Sequence, residues 1–141
     1  MDVVDRVFSS RRDLTHRPLG DPDIEYFTDG SSFILKGVRR AGYAVVTLDS
    51  VVEVQSLSMG TSAQKAKLIA LTRALWLAKD QKANIYTDSK YAFATLHVHG
   101  AIYKERGLLT TEGKEIKNKK EIEQLLDAVW APKEVAVIHC K

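Results

Sequence analysis

IEYFTDGSS (Ile24–Ser32) and ANIYTDSKYAFATLH (Ala83–His97) are the two stretches whose reading decides the fold. Each is a short β-prone apolar run that closes on an aspartate, Asp29 in the first and Asp88 in the second, followed at once by a turn or a helix start. If the two runs lie side by side and parallel, both carboxylates open at the carboxyl edge of one sheet, where α/β folds place their chemistry. Paired carboxylates at such an edge point to a divalent metal, with Asp29 and Asp88 as its ligands.

Outward from this pair, residues 24–28 alternate as a strand and residues 29–32 carry turn chemistry. Residues 36–40 read as a basic turn around Gly37. Residues 42–48 and 51–57 are rich in β-branched and aromatic side chains, with Asp49 and Ser50 as a tight turn between them, so the first strands form an antiparallel meander. At Gly60 the apolar period lengthens to that of a helix, with Thr61 or Ser62 as N-cap. Ala63, Ala66, Ala70, Ala74 and Leu77 run along one stripe, which Leu68, Leu71, Leu75 and Ala78 widen. Residues 83–87 form the next strand, residues 89–97 a helix capped by Asp88 or Ser89, residues 119–130 a helix capped by Asn118, and residues 134–140 a last strand. A helical turn is expected within residues 3–8, and residues 1–22 as a whole read as a tether ahead of a domain at residues 23–141. The fold class is α/β: a mixed sheet covered by helices on at least one face.

A chain of 141 residues, 45% apolar and 28% charged, has the size and make-up of one globular domain. Its longest apolar helix, residues 66–78, is interrupted by Lys67 and Arg73, so no membrane association is expected. The single cysteine, Cys140, cannot form an internal disulfide, which fits an intracellular setting, cytoplasmic or nuclear. A net charge of +3 is compatible with nucleic acid without requiring it.

FTDGSS (Phe27–Ser32), GTSAQKAKLIALTRAL (Gly60–Leu75), IYTDSKYAFATLHVHGAIYKERGLLT (Ile85–Thr110), GKEIKN (Gly113–Asn118) and VIHC (Val137–Cys140) occur in an order and spacing that resembles the ribonuclease H domain of retroviral reverse transcriptases, of the gammaretroviral or endogenous retroviral Pol type. The resemblance implies a five-stranded mixed sheet, antiparallel over its first three strands and then parallel. It also implies hydrolysis of the RNA strand of an RNA–DNA hybrid by two Mg2+ or Mn2+ ions, in a monomeric domain that belongs to a longer Pol polyprotein. By the same resemblance, Gly30, Ser31, Thr61, Ser62, Gln64, Ser89, Lys104 and Arg106 are the residues to contact nucleic acid, and the basic run from Lys104 to Lys120 helps to grip the hybrid.

The family uses four acidic residues, which offset the mutual repulsion of two divalent ions. Asp29 matches the first and Asp88 the third, but Lys67 stands where the second, a glutamate, is expected. The fourth, an aspartate on a helix after VIHC, would lie past Lys141, so the C-terminal helix is expected to be missing. At an effective dielectric constant of about 20, an ammonium ~5 Å from a divalent ion is repelled by roughly 6 kcal/mol. The expectation is therefore impaired catalysis, with Lys67 pairing with both Asp29 and Asp88 in place of a metal. Simpler readings stand beside these: aspartates as turn and cap residues, Thr61 and Ser62 as a cap only, Lys67 as a solvated lysine, the basic run as a solvated loop, and the domain as a structural or interaction module with no nucleic-acid role. His97, His99 and His139 lack ligand spacing and read as structural, and Trp76 and Trp130 read as core or rim residues.

Overall fold

The computed structural model describes residues 13–99 and 118–140. Its elements are β1 (Ile24–Leu35), β2 (Val38–Val46), β3 (Val51–Leu57), α1 (Ala63–Leu77), β4 (Lys82–Thr87), α2 (Lys90–Ala94) running into a π-helical turn at Thr95–His99, α3 (Lys119–Ala128) and β5 (Glu134–His139). The five strands form one sheet in the order β3-β2-β1-β4-β5. β1, β2 and β3 are antiparallel, while β4 joins β1 and β5 joins β4 in parallel. This is the mixed sheet expected from the sequence.

Strand alternation separates two faces. Tyr26, Thr28 and Gly30 of β1, Tyr43 and Val45 of β2, Ile85 and Thr87 of β4, and Val135 and Val137 of β5 are buried on the helical face. There α1 packs on β1 and β2, and α3 packs on α1. Leu68, Leu71 and Leu75 of α1 and Ile122, Leu125 and Leu126 of α3 are fully buried, each leucine or isoleucine contributing about 1.5–3 kcal/mol on leaving water. The close seat of α1 depends on Gly30. A β-carbon at Gly30 would lie 2.5 Å from the backbone carbon of Ala66 and 2.5 Å from the backbone nitrogen of Lys67.

That contact explains a difference from the sequence reading. Asp-Gly-Ser-Ser looked like a turn after Thr28, yet β1 continues through Asp29 to Leu35. The glycine serves helix approach, not chain reversal. The reversal comes at Lys36 and Gly37, whose φ angles of 53° and 78° are those of a two-residue hairpin, so that Arg39 and Arg40 belong to β2 and not to a basic turn. Between β2 and β3 the connection spans residues 47–50, wider than the pair expected, and the Thr47 N–H donates to Ser50 O at 2.8 Å.

Asn118 is not the expected side-chain cap of α3. Its backbone is left-handed, at φ 62° and ψ 29°, and its side chain makes no capping hydrogen bond. Asparagine tolerates this conformation, which is not the extended backbone from which an N-cap side chain reaches the first amides. The helix also ends at Ala128, short of Trp130. Residues 13–22, expected as tether, lie against the sheet. Thr15 bridges Ala136 alongside β5, and the buried Asn84 amide both accepts from the Leu19 N–H at 2.7 Å and donates to Glu25 Oε2 at 3.1 Å. The turn expected in residues 3–8 and the basic run up to residue 117 lie outside the described residues.

The edge strand is tied to the helix by charge. Arg73 of α1 donates from Nε to Glu53 Oε2 at 2.8 Å and from Nη2 to Glu53 Oε1 at 3.0 Å, and the Tyr43 hydroxyl donates to Glu53 Oε2 at 2.6 Å. The Arg73 bonds, then that from Tyr43, pull the Glu53 carboxyl from 4.5 down to about 2, against the opposing effect of burial.

Gly30→Ala is expected to lower stability by about 1–3 kcal/mol, because helix backbone must move to admit the methyl group; an unchanged urea midpoint would show that α1 is not seated this closely. Glu53 supplies a second expectation. Its folded value lies below its unfolded one, so its contribution of about 1–2 kcal/mol is present above pH 4.5 and is lost as the pH falls toward 2. Glu53→Gln should therefore unfold earlier than wild type at neutral pH, with the gap closing over that acidic range, and a gap independent of pH contradicts the assignment.

Candidate functional site

The parallel register of β1 with β4 ends at Thr28 opposite Thr87. Asp29 and Asp88 are the next residue on each chain, so the structure brings the two aspartates to the same end of neighbouring strands, as the sequence suggested. Strands in this position are about 4.8 Å apart. The two carboxylates are nevertheless presented differently. Asp29 is still inside β1, between the inward-facing Thr28 and Gly30, and so faces away from α1. Asp88 lies past the last residue of β4, in the bend that enters α2, where its side chain reaches back toward α1.

Lys67 meets Asp88 there, with Nζ 3.1 Å from Oδ1. No ion pair among the described residues joins Lys67 to Asp29, so the bridge expected across both aspartates is made to one only. The reason is the strand alternation that sends Asp29 to the other face. Position 67 itself is set by the packing of Gly30 against the backbone of Ala66 and Lys67, so the ammonium is carried to the sheet edge by the same contact that seats the helix. With side-chain exposures of 26% and 43%, the pair contributes at most about 1 kcal/mol. Its importance is positional: a positive charge already sits on an oxygen of the carboxylate that the sequence reading assigned to a metal.

Among the described residues, the donors at this edge are the Asp29 and Asp88 carboxylates, with the Lys67 ammonium already on Asp88. Among the described residues, no group of three or more histidine, cysteine, aspartate or glutamate side chains is placed to hold a metal ion.

The other anticipated contacts divide by what their polar atoms already do. Ser62 is the N-cap of α1, its Oγ accepting from the Lys65 N–H at 3.2 Å, which leaves its own hydroxyl proton to donate outward. Thr61 is buried and donates its hydroxyl proton to Ser58 O at 2.7 Å. Ser89 is buried as the cap of α2, accepting from the Ala92 N–H at 3.0 Å. Gly30 is buried under α1, whereas Ser31 and Gln64 are exposed. Lys104, Arg106 and the rest of the anticipated gripping segment up to residue 117 lie outside the described residues. The first turn of α1 contains no acidic residue, a favourable field for an anion.

His97 is structural, as its spacing suggested: Nε2 bonds the Val137 carbonyl at 2.9 Å, and burial lowers its pKa. The sequence reading missed a cleft on the face opposite α1, where Asp29, Ser31, Phe33 and Arg40 come together. The available signal was the alternation of Asp29, Ser31 and Phe33, which the apparent turn at Asp-Gly concealed.

The sequence profile of the RNase H family matches residues 21–141. The chain is 63% identical over 141 residues to the Gag-Pol polyprotein of avian reticuloendotheliosis virus, covering 100% of this chain and 12% of that protein. It is 59% identical over 138 residues to the Gag-Pol polyprotein of baboon endogenous virus (strain M7), covering 98% of this chain and 8% of that one. The chain thus spans about a tenth of the length of these relatives. Among solved structures, the solution structure of the PFV RNase H domain is similar with a TM-score of 0.67 at 21% identity, over 86% of this chain and 81% of that one. A foamy viral protease-reverse transcriptase in complex with RNA/DNA hybrid is similar with a TM-score of 0.69 at 16% identity, over 88% of this chain and 18% of that one. At these identities the structural likeness speaks for the fold alone.

Replacing Ser62 by alanine should reduce stability by about 1 kcal/mol through loss of the cap. Thermal unfolding checks this, and an unaltered melting temperature would mean that the hydroxyl is not engaged with the Lys65 amide.

Proposed function

This chain belongs to the RNase H family in its retroviral Pol form, and from that premise we propose that it is the hybrid-binding domain of a longer Pol polyprotein whose hydrolytic step is impaired at Lys67. RNase H enzymes use divalent metal ions, and their sites supply carboxylates to hold them. The observation that carries the reading is the 3.1 Å contact between Lys67 Nζ and Asp88 Oδ1, which substitutes a fixed positive charge for a ligand at that edge. Binding does not need the metals. The Ser62 hydroxyl, the exposed Gln64 and the acid-free first turn of α1 form a surface suited to phosphates, with Lys65, which reaches Glu121 only at 3.9 Å, beside them.

A second reading, an interaction module without a nucleic-acid role, draws on β3. That edge strand exposes Val51, Val52 and Val54 and has no neighbour on its outer side among the described residues. The two readings differ in their salt dependence, because phosphate contacts release counterions and apolar strand pairing does not.

Fluorescence anisotropy with a labelled RNA–DNA hybrid should show affinity falling by about tenfold or more between about 50 and about 200 mM salt. Little Mg2+- or Mn2+-dependent cleavage of the same hybrid is expected. Lys67→Glu should tighten Mn2+ binding, read by calorimetry, by roughly tenfold or more. Brisk cleavage by the wild-type chain would overturn the impairment, and salt-insensitive or absent hybrid binding would favour the interaction module.

A further inference from the structure

We propose that the open face of β1, β2 and β3 binds a single unpaired nucleic-acid strand adjoining the hybrid, with Phe33 as its stacking surface and Arg40 as a phosphate contact. The inference rests on the hybrid-binding reading above and extends it to a second surface.

β1 continues beyond Asp29, and its alternation carries Asp29, Ser31 and Phe33 along the face turned away from α1. The antiparallel register sets Asp29 opposite Ala44, Ser31 opposite Gly42, and Phe33 opposite Arg40. On the next strand, Gly42 lies opposite Ser56 and Ala44 opposite Val54. Glycine, alanine and serine keep the floor low, and the result is an open cleft of about 440 Å³. Its volume lies within the range of about 300–1,000 Å³ for sites that take small organic groups. It suits a stacked base with its phosphate, and it is too small for a duplex.

The walls specify the occupant. Phe33 leaves 54% of its surface in water on a face that none of the described helices covers. An isolated exposed phenylalanine would call for no explanation. Here, however, Phe33 stands opposite Arg40 in the strand register, Arg40 is exposed and makes no ion pair among the described residues, and Lys36 sits exposed in the adjoining turn. An aromatic face beside cationic side chains is how proteins hold single strands without reading their sequence, since every base has a face to stack and every nucleotide a charge to neutralise. The charge runs the wrong way for a basic partner, and the chain's net charge of +3 favours a polyanion.

Position supplies the link to the hybrid. The cleft begins at Asp29, the residue after the Thr28–Thr87 pair, so it starts at the end of the sheet where Asp88 lies but on the opposite face. From there to Phe33 the strand advances about 13 Å, a length that a few nucleotides cover. A strand that leaves the hybrid beside Asp29 can therefore continue along β1 to the hairpin, its base on Phe33 and its phosphates toward Arg40 and Lys36.

The test compares anisotropy titrations of the full chain with a blunt hybrid and with the same hybrid carrying a short single-stranded extension at either end of the RNA or the DNA strand. Wild type should prefer the extended hybrid by about fivefold or more. Phe33→Ala should abolish that preference at unchanged affinity for the blunt hybrid and an unchanged unfolding midpoint, and Phe33→Trp should retain it. Arg40→Gln should reduce by about one the slope of log affinity against log salt for the extended hybrid. Equal affinity of wild type for the two hybrids overturns the proposal, as does a preference that persists in Phe33→Ala. If Phe33→Ala instead abolishes self-association and leaves the preference intact, the face belongs to a second copy. Failure of wild type to bind the blunt hybrid at all removes the hybrid-binding reading and this extension with it; binding without preference removes the extension alone.

Discussion

The backbone of α1 rests directly on β1 because residue 30 has no side chain. Where a β-carbon would stand 2.5 Å from the Ala66 and Lys67 backbone, helix and strand meet without a spacer. Two consequences follow from this one approach. Leu68, Leu71 and Leu75 are driven into a fully buried core, and residue 67 is delivered to the end of the sheet where β4 terminates. The first consequence stabilises the domain and the second sets the chemistry of its edge. Core packing transmits such placement faithfully, because a close-packed interior has little slack to absorb a shift.

At that edge a local exchange of charge has effects larger than its own energy. The Lys67–Asp88 pair is half in water and weak. A weak pair nevertheless leaves its ammonium in place, where it opposes any cation that approaches the Asp88 oxygen it holds. Anions respond in the opposite sense: the acid-free N-terminus of α1, with Lys65 and Lys67 close by, has a field that favours negative charge.

The sheet's two faces divide the remaining roles. The helical face carries the core, while the opposite face presents the Phe27–Tyr86 stack, with ring centroids 4.8 Å apart, and further along β1 the cleft at Phe33 and Arg40. The Glu53–Arg73–Tyr43 network holds β3 to α1 and so preserves the cleft's outer wall, since β3 lies at the edge of the sheet with β2 as its only neighbour among the described residues.

Much of this was legible from local pattern. The change from a two-residue to a helical period at Gly60, the apolar runs that close on Asp29 and Asp88, and the cap chemistry of Ser62 and Ser89 all depend on neighbours in the chain, and the elements stand where those signals place them. The presence of Lys67 at an edge expected to gather cations was equally visible in the sequence. Contacts between residues distant in the chain were not. Asp-Gly-Ser-Ser has the composition of a turn, and only the arrival of a helix more than thirty residues later shows that its glycine makes room for backbone. Sequence alone therefore determined which strands and helices form and which charges lie near the sheet edge. Tertiary structure decided that β1 runs on to Leu35, that Lys67 grips Asp88 and not Asp29, and that Phe33 faces Arg40, because side-chain direction follows the pleat and packing of the assembled sheet.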